Sequence, residues 1–301
     1  MESIVNIALL IAQGIIMFSL GIALEIKDFK RVLERKKVVS IALIAQVLFV
    51  PLLAYLTVHM FNFSPVFAAG AMILSFCPGD VTCNIISKLA KGDVALSVSL
   101  SEVTSILAFV TVPCLVALLV AHFLGNAGSE YSFSEIALVT FLITTTPVSL
   151  GVLFRHFKAA IAIRIETGLE RLAYILWTVI VVGAFASTWD TLENNFAHIG
   201  PGLLFLPIVM TVFGLIIGRI SNLTRIESKT LAIEASIQNS PMAITLAILI
   251  TGVAGGVPDL ALPAAVYSIT MYAVALPTVL LLRGWGSPFE LSTSPSYKLD
   301  S

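Results

Sequence analysis

Long apolar runs alternate with short polar segments along the whole chain. A helix needs about 20 mostly apolar residues to cross a bilayer, where only hydrogen bonds within the segment satisfy its backbone. Nine runs meet this condition, which predicts an all-α polytopic membrane protein with nine transmembrane helices. The predicted spans are residues 4–25, 38–60, 65–90, 94–123, 135–154, 168–188, 201–220, 230–253 and 261–283.

Composition supports this interpretation and narrows the function. Of the 301 residues, 58% are hydrophobic and 12% are charged, and the mean hydropathy is +1.00. A soluble domain carries about 25% charged residues, so a soluble enzyme and a nucleic-acid-binding protein are excluded. The three scattered cysteines fit neither a disulfide framework nor a zinc site. With no nucleophile–base pair and no P-loop motif in the sequence, we predict a protein that is not an enzyme and needs no obligatory protein partner.

The basic residues predict the orientation. All 17 Lys and Arg follow the odd-numbered spans, whereas the loops at 61–64, 124–134, 189–200 and 254–260 contain none. Because cytoplasmic loops carry the excess of Lys and Arg, this asymmetry predicts a plasma-membrane protein with its N-terminus outside and its C-terminus in the cytoplasm. The tail at 286–301 is rich in Ser and Pro and is predicted to be disordered.

Two spans are interrupted at corresponding places. Pro78, Gly79 and Asp80 break the third span, and Asn239-Ser240-Pro241 breaks the eighth. Paired interruptions indicate an inverted-repeat transporter whose site lies where the broken helices cross; two simple proline kinks are the alternative. Ser240 is the expected N-cap of the last half-helix, with Pro241 at its first position. The N-terminus of such a half-helix suits an anionic group.

Three carboxylates fall within the predicted spans, namely Asp80, Glu102 and Glu234. Intramembrane acids are costly and mark functional sites. No Lys or Arg lies deep in a span, so such an acid either holds a proton or is neutralised by a mobile cation. Glu234 and Gln238 are four residues apart and share a helix face. Carboxylate, amide and hydroxyl oxygens favour an alkali ion or a proton over zinc or copper.

The two interrupted regions resemble a known family. The segments Cys77–Ser101 and Ile233–Ala243 are similar to the two signature regions of the bile acid:sodium symporters. The similarity extends to Ile15–Leu24 and Ala45–Ala54, in the order and spacing of that family. The resemblance implies a panel domain of residues 1–37 and 135–200, a core domain of residues 38–123 and 201–285 that holds crossed discontinuous helices, and a substrate cleft between the domains.

The resemblance also implies two sodium sites and a substrate contact. The first sodium site would use Cys83, Asn84, Ser97, Ser101 and Glu234. The second would use Gln46, Glu234, Gln238 and the backbone carbonyls of Ala235 and Ile237. Thr82 and Asn239 would face the substrate.

Three positions depart from the family pattern. Asp80 replaces a glycine, Cys83 replaces a serine, and Glu102 occupies a position where a small or hydroxyl residue is expected. A thiol is a poor ligand for a hard cation. We therefore expect that Asp80 or Glu102 compensates for Cys83, as part of an extra ion or proton site, or that a proton replaces one sodium ion.

The expected function is sodium-coupled symport of an organic anion by alternating access. A bile-acid-like, pantoate-like or keto acid substrate is compatible with the sequence. Two alternatives stay open: a proton-coupled organic-anion transporter of the same fold, and a membrane receptor that binds an anion without moving it. The expected partners are the small anion and membrane lipid.

Overall fold

A computed structural model describes residues 2–23, 35–79, 82–124, 133–187, 189–251 and 258–285. These ranges are almost wholly helical and contain no β-strand, which confirms the all-α prediction. The predicted disordered tail at 286–301 and the carboxylate of Asp80 lie outside the described residues, as does the side chain of Glu102.

The first half of the chain contains one broken helix. Helix α1 spans Glu2–Ala23, and α2 (Lys36–Ile44) continues through a π-helical turn (Ala45–Phe49) into α3 (Val50–Met60). The first broken helix consists of α4 (Pro65–Phe76) and α5 (Thr82–Leu89), followed by α6 (Val94–Leu124).

The second half contains the other broken helix. Three long helices precede it, α7 (Phe133–Phe157), α8 (Ala159–Ser187) and α9 (Trp189–Ile220). The second broken helix consists of α10 (Arg225–Ser236) and α11 (Ser240–Thr251). A 3₁₀ turn at Asp259–Ala261 then leads into α12 (Leu262–Arg283).

The outside of the protein is apolar and many of its polar side chains are buried. Among the described residues, Lys36–Met60, Trp189–Ile220 and Asp259–Arg283 are each long and apolar enough to cross a membrane. Leu280 and Leu281 are 71% and 78% exposed. An exterior of large apolar side chains suits lipid rather than water. The chain is therefore an integral membrane protein, whereas nine spans and their orientation stay predictions.

Helices α1, α7 and α8 contact one another, and α9 and α10 pack together and meet α12. Gly21 on α1 and Gly151 on α7 let these two helices approach closely: a Cβ on Gly151 would lie 2.5 Å from the carbonyl oxygen of Phe18. Helix α4 packs against α6, α11 and α12, so it lies among other helices. Its buried positions run from Phe67 to Ser75.

The two broken helices begin in the same way. Both α4 and α10 have 12 residues, and each end of α10 lies 160 residues after the matching end of α4. Asn62 and Asn222 occupy the left-handed region before them, with φ of 51° and 53°. Asn tolerates this conformation better than most residues. Ser64 and Thr224 then hold the N-cap positions of the two helices.

The predicted cap of α11 is wrong by one residue. The side chain of Asn239, rather than that of Ser240, caps the helix, because its Oδ1 accepts a hydrogen bond of 3.0 Å from the backbone N–H of Met242. Both residue types are good N-caps, and the backbone of Asn239 is fixed by its bond to the other broken helix. Ser240 instead becomes the first residue of α11, and its hydroxyl is buried without a hydrogen-bond partner among the described residues.

Candidate ion and substrate site

The two breaks touch each other. Gly79 and Gln238 form an isolated antiparallel bridge, and the N–H of Asn239 donates to the carbonyl of Pro78 at 3.0 Å. The interrupted backbones thus satisfy part of each other's hydrogen-bonding capacity. The C-terminal ends of α4 and α10 and the N-terminal ends of α5 and α11 all lie next to this crossing.

Glu234 is the buried acid beside the crossing. Its side chain is 6% exposed, and its carboxylate accepts hydrogen bonds from two serines on α6. The hydroxyl of Ser97 donates to Oε1 at 2.5 Å, and that of Ser101 lies 3.2 Å from both carboxylate oxygens. The structure therefore brings together three of the five ligands predicted for the first ion site.

The absence of a side chain at position 79 makes room for this carboxylate. A Cβ on Gly79 would lie 2.9 Å from Oε2 of Glu234 and 3.2 Å from Sγ of Cys83. The thiol of Cys83 in turn lies 3.7 Å from the carbonyl oxygen of Ile237, to which it donates. Cys83 and Ile237 are thus neighbours at the crossing, and both are fully buried.

The residues predicted for the second ion site also form one cluster. The amide of Gln46 donates to Oε1 of Gln238 at 3.0 Å and to the carbonyl of Cys77 at 3.1 Å. The amide of Gln238 donates to the carbonyl of Ala235 at 2.8 Å. The predicted oxygen ligands therefore lie together, with amide N–H groups directed at two of them.

Asn84 lies on α5 and lines a cleft next to the crossing. Its Oδ1 is buried and has no hydrogen-bond partner among the described residues. The cleft has a volume of about 160 Å³ and is bordered by residues of α1, α5 and α8. An acceptor oxygen left in this way is available to an ion or to a ligand.

The predicted substrate residues lie at the two half-helix N-termini. Thr82 opens α5, and its hydroxyl accepts a hydrogen bond of 2.9 Å from Tyr272 on α12. Asn239 is 3% exposed and precedes α11. The ring of Tyr272 also meets Trp177 of α8, with ring centroids 6.5 Å apart. Trp177 lines the cleft, so this contact connects the cleft with the crossing.

Two features of the site were not predicted from the sequence: the π-helical turn that holds Gln46, and the contact made by Tyr272. Gln46 lies in a π-helical turn just before Pro51, and such turns occur often at functional sites. The proline, which lacks an N–H, was the available signal. Tyr272 was also missed, because nothing in its local sequence indicates contact with a residue 190 positions away.

Comparison with known proteins identifies the family of this chain. Residues 10–195 match the model of the sodium bile acid symporter family. The chain belongs to this family. The match confirms the resemblance noted from the two interrupted segments and covers the first broken helix together with Gln46, Ser97 and Ser101.

Several family members align over most of the chain. An uncharacterized sodium-dependent transporter, YocS of Bacillus subtilis, is 27% identical over 85% of this chain and 77% of its own length. The human ileal sodium/bile acid cotransporter is 25% identical over 81% of the chain and 69% of its own length. The probable chloroplastic sodium/metabolite cotransporter BASS2 of rice is 25% identical over 79%, and the chain spans only 55% of that protein. These relatives are named as transporters, which confirms that the chain is not an enzyme.

The donor set of this family member fits sodium. Na⁺ is a hard cation that takes oxygen ligands. Glu234, Ser97 and Ser101 supply a carboxylate and two hydroxyl groups in contact with one another, and Asn84 adds a buried amide oxygen nearby. At the second cluster, rotating the amide groups of Gln46 and Gln238 would exchange N–H for oxygen, since the two ends of an amide have the same outline.

Proposed function

We propose that the chain is a secondary active transporter that carries an organic anion across the plasma membrane together with Na⁺. The observation that carries this proposal is the buried carboxylate of Glu234, held by Ser97 and Ser101 where the two broken helices cross. A buried acid among hydroxyl and amide oxygens suits a monovalent cation. The relatives named as sodium-dependent or sodium cotransporters support Na⁺ as that cation.

Two ions are cotransported in this proposal, and Glu234 contributes to both sites. The first ion is held by the ligands Cys83, through its backbone carbonyl, Asn84, Ser97, Ser101 and Glu234. The second is held by Gln46, Glu234, Gln238 and the carbonyls of Ala235 and Ile237. Asp80 and Glu102 would provide an extra ligand or a proton site beside the first ion. The contacts among Gln46, Gln238 and Ala235 support the second set.

The substrate anion is proposed to bind where α5 and α11 begin. The free N–H groups and positive dipole ends of these helices favour a negative group. Thr82 and Asn239 lie at these two positions and are the proposed substrate contacts. Bile-acid-like, pantoate-like and keto acids all have the required anionic end.

Transport follows from movement of one domain against the other. The proposed panel domain comprises residues 1–37 and 135–200, and the core domain comprises residues 38–123 and 201–285. The mutual contacts of α1, α7 and α8 support this division. With the N-terminus outside, each Na⁺ that moves inward across 100 mV contributes about 2.3 kcal/mol. Ion and substrate should increase each other's affinity by the same factor.

Substitution of Glu234 by Gln tests the proposal. A ligand present at one hundred times its Kd stabilises a protein by about 2.7 kcal/mol, so Na⁺ should raise the Tm of the wild-type protein relative to K⁺. We expect the Glu234→Gln variant to lose this stabilisation and to lose sodium-driven uptake of taurocholate, pantoate and pyruvate in proteoliposomes. The control variant is Glu193→Gln, which removes an exposed carboxylate on α9.

Three outcomes would contradict the proposal. Wild-type sodium stabilisation in the Glu234→Gln variant would remove this carboxylate from the ion sites. Uptake that is driven by a pH gradient and does not depend on Na⁺ would show that a proton, rather than sodium, is the coupling ion. Specific binding of the probes without any uptake would identify a receptor instead of a transporter.

A further inference from the structure

Among the described residues, the cleft beside the crossing has its charged side chains toward one end, which the proposed function does not explain. One side is formed by a single face of α8, on which Glu166, Glu170, Tyr174 and Trp177 follow one another at helical spacing. Trp177 lies at the end nearest the crossing, where it meets Tyr272. Since a helix rises 1.5 Å per residue, Glu170 lies about 10 Å farther along the cleft than Trp177.

The two acids in this cleft differ in their surroundings. Glu166 accepts a hydrogen bond of 2.6 Å from the guanidinium group of Arg155, and this ion pair offsets its negative charge. Glu170 is exposed to the cleft and forms no ion pair or hydrogen bond with the described residues. These two glutamates are the only charged residues among the described ones that line the cleft. Among the described residues, the end of the cleft remote from the crossing therefore carries the negative charge of Glu170 without a paired cation.

Two further polar atoms in the same cleft lack partners. The indole Nε1–H of Trp177 and the Oδ1 of Asn84 are both buried and unsatisfied among the described residues. A buried donor or acceptor without a partner is unfavourable, so each atom points to a ligand that completes it. The indole N–H can donate to an anionic oxygen near the crossing, and the amide oxygen of Asn84 can accept from a hydroxyl or an amino group.

We propose that, among organic carboxylates, the cleft prefers an elongated molecule that also carries a cationic group about 10 Å from its acid end. This inference rests on the proposed function and names its substrate class. The carboxylate lies toward Thr82 and the indole N–H of Trp177, and the cationic group, an amine for example, pairs with Glu170. A second carboxylate at that end would face the charge of Glu170. The cleft thus selects against dianions by repulsion as well as for zwitterions by attraction.

Three straight-chain probes of one length test this selection. They are ω-aminooctanoate, octanoate and octanedioate, which differ only in the group at the far end. Binding is measured as the rise in Tm of the purified protein in NaCl and in KCl over a range of probe concentrations. We expect ω-aminooctanoate to act at a concentration at least ten-fold lower than octanedioate, with octanoate between them, and only in NaCl.

The Glu170→Gln variant should reduce this ten-fold preference to less than two-fold, because it removes the charge and keeps the shape. Glu170→Asp, which keeps the charge, should restore most of the preference. The control is again Glu193→Gln, which makes the same substitution outside the cleft and should retain the wild-type order.

Failure of this inference is distinguishable from failure of the proposed function. Equal sodium-dependent stabilisation by all three probes would overturn the charge selection and leave sodium coupling intact. The expected order of the probes in KCl as well as in NaCl would support the role of Glu170 and overturn coupling to sodium. No stabilisation by any probe, or an unchanged preference in Glu170→Gln, would overturn the assignment of the substrate class.

Discussion

The first halves of the two broken helices, α4 and α10, have the same geometry but differ in charge. Helices α4 and α10 have equal length, follow the same kind of left-handed Asn turn, and end at the crossing. Yet α4 carries no charged residue, whereas α10 carries Arg225, Glu227, Lys229 and Glu234. The proposed site is therefore asymmetric: α10 supplies charge, whereas α4 supplies backbone and space.

The polar groups of α10 differ in how their neighbours accommodate them. Glu227 completes the capping box with Thr224 and also lies 3.4 Å from Arg35. Lys229 is 1% exposed and lies 3.4 Å from the carbonyl oxygen of Ala90. Burial lowers the pKa of Lys229, and the nearby charge of Lys91 lowers it further. The two acids of α10 thus have polar partners on other segments, whereas the surroundings of Lys229 disfavour its charge.

Among the substitutions that compare the two broken helices, Gly79→Ala is expected to have the largest effect, and it tests the space supplied by the first break. The new Cβ would lie 2.9 Å from Oε2 of Glu234, so either the carboxylate or the crossing must move. We expect the Tm difference between NaCl and KCl, which measures the sodium-dependent stabilisation, to fall at least ten-fold from its wild-type value.

Gly14→Ala is the matched control, because a Cβ on Gly14 meets no atom of the described residues within 4 Å. Its sodium response should equal that of the wild-type protein. If Gly79→Ala behaved in the same way, the first break would not contribute space to the ion site, and the asymmetry between the two halves would disappear.

The sequence predicted those parts of the site that depend on local pattern. Proline and glycine marked both breaks. The prediction that Glu234 and Gln238 share a helix face was wrong, because α10 ends at Ser236 and Gln238 lies in the extended break that pairs with Gly79. The cap of α11 was wrong, because Asn239 and Ser240 are equally good caps and only the contact of Asn239 with Pro78 distinguishes them.

Other parts of the site depend on contacts between distant segments. The bonds from Gln46 to Gln238 and to Cys77 place its side chain at the crossing, and these residues are 192 and 31 positions away. The hydrogen bond between Tyr272 and Thr82 likewise joins two separate helices. Periodicity describes one helix at a time, so it does not predict which faces of two helices meet.

Cys83→Ser is expected to have the next largest effect, in the opposite direction. It replaces a soft thiol beside Glu234 with a hydroxyl oxygen, which is a better ligand for a hard cation. We expect the sodium concentration for half-maximal stabilisation to fall by up to ten-fold, equivalent to about 1.4 kcal/mol. An unchanged sodium dependence would mean that only backbone atoms at position 83 contact the ion. Cys114→Ser, at an exposed position on α6, is the control.

The smallest effect separates the starts of the two broken helices. Thr224 forms a capping box with Glu227, whereas the side chain of Ser64 makes no cap hydrogen bond to α4. Loss of a functioning N-cap costs about 1 kcal/mol. Thr224→Ala should therefore lower the Tm measurably in both NaCl and KCl, and Ser64→Ala should lower it much less. Equal losses would show that α4 relies on its cap as much as α10 does. A decrease in the Tm of Thr224→Ala that occurs only in NaCl would show that the start of α10 is coupled to an ion bound beside Glu234, two and a half turns away.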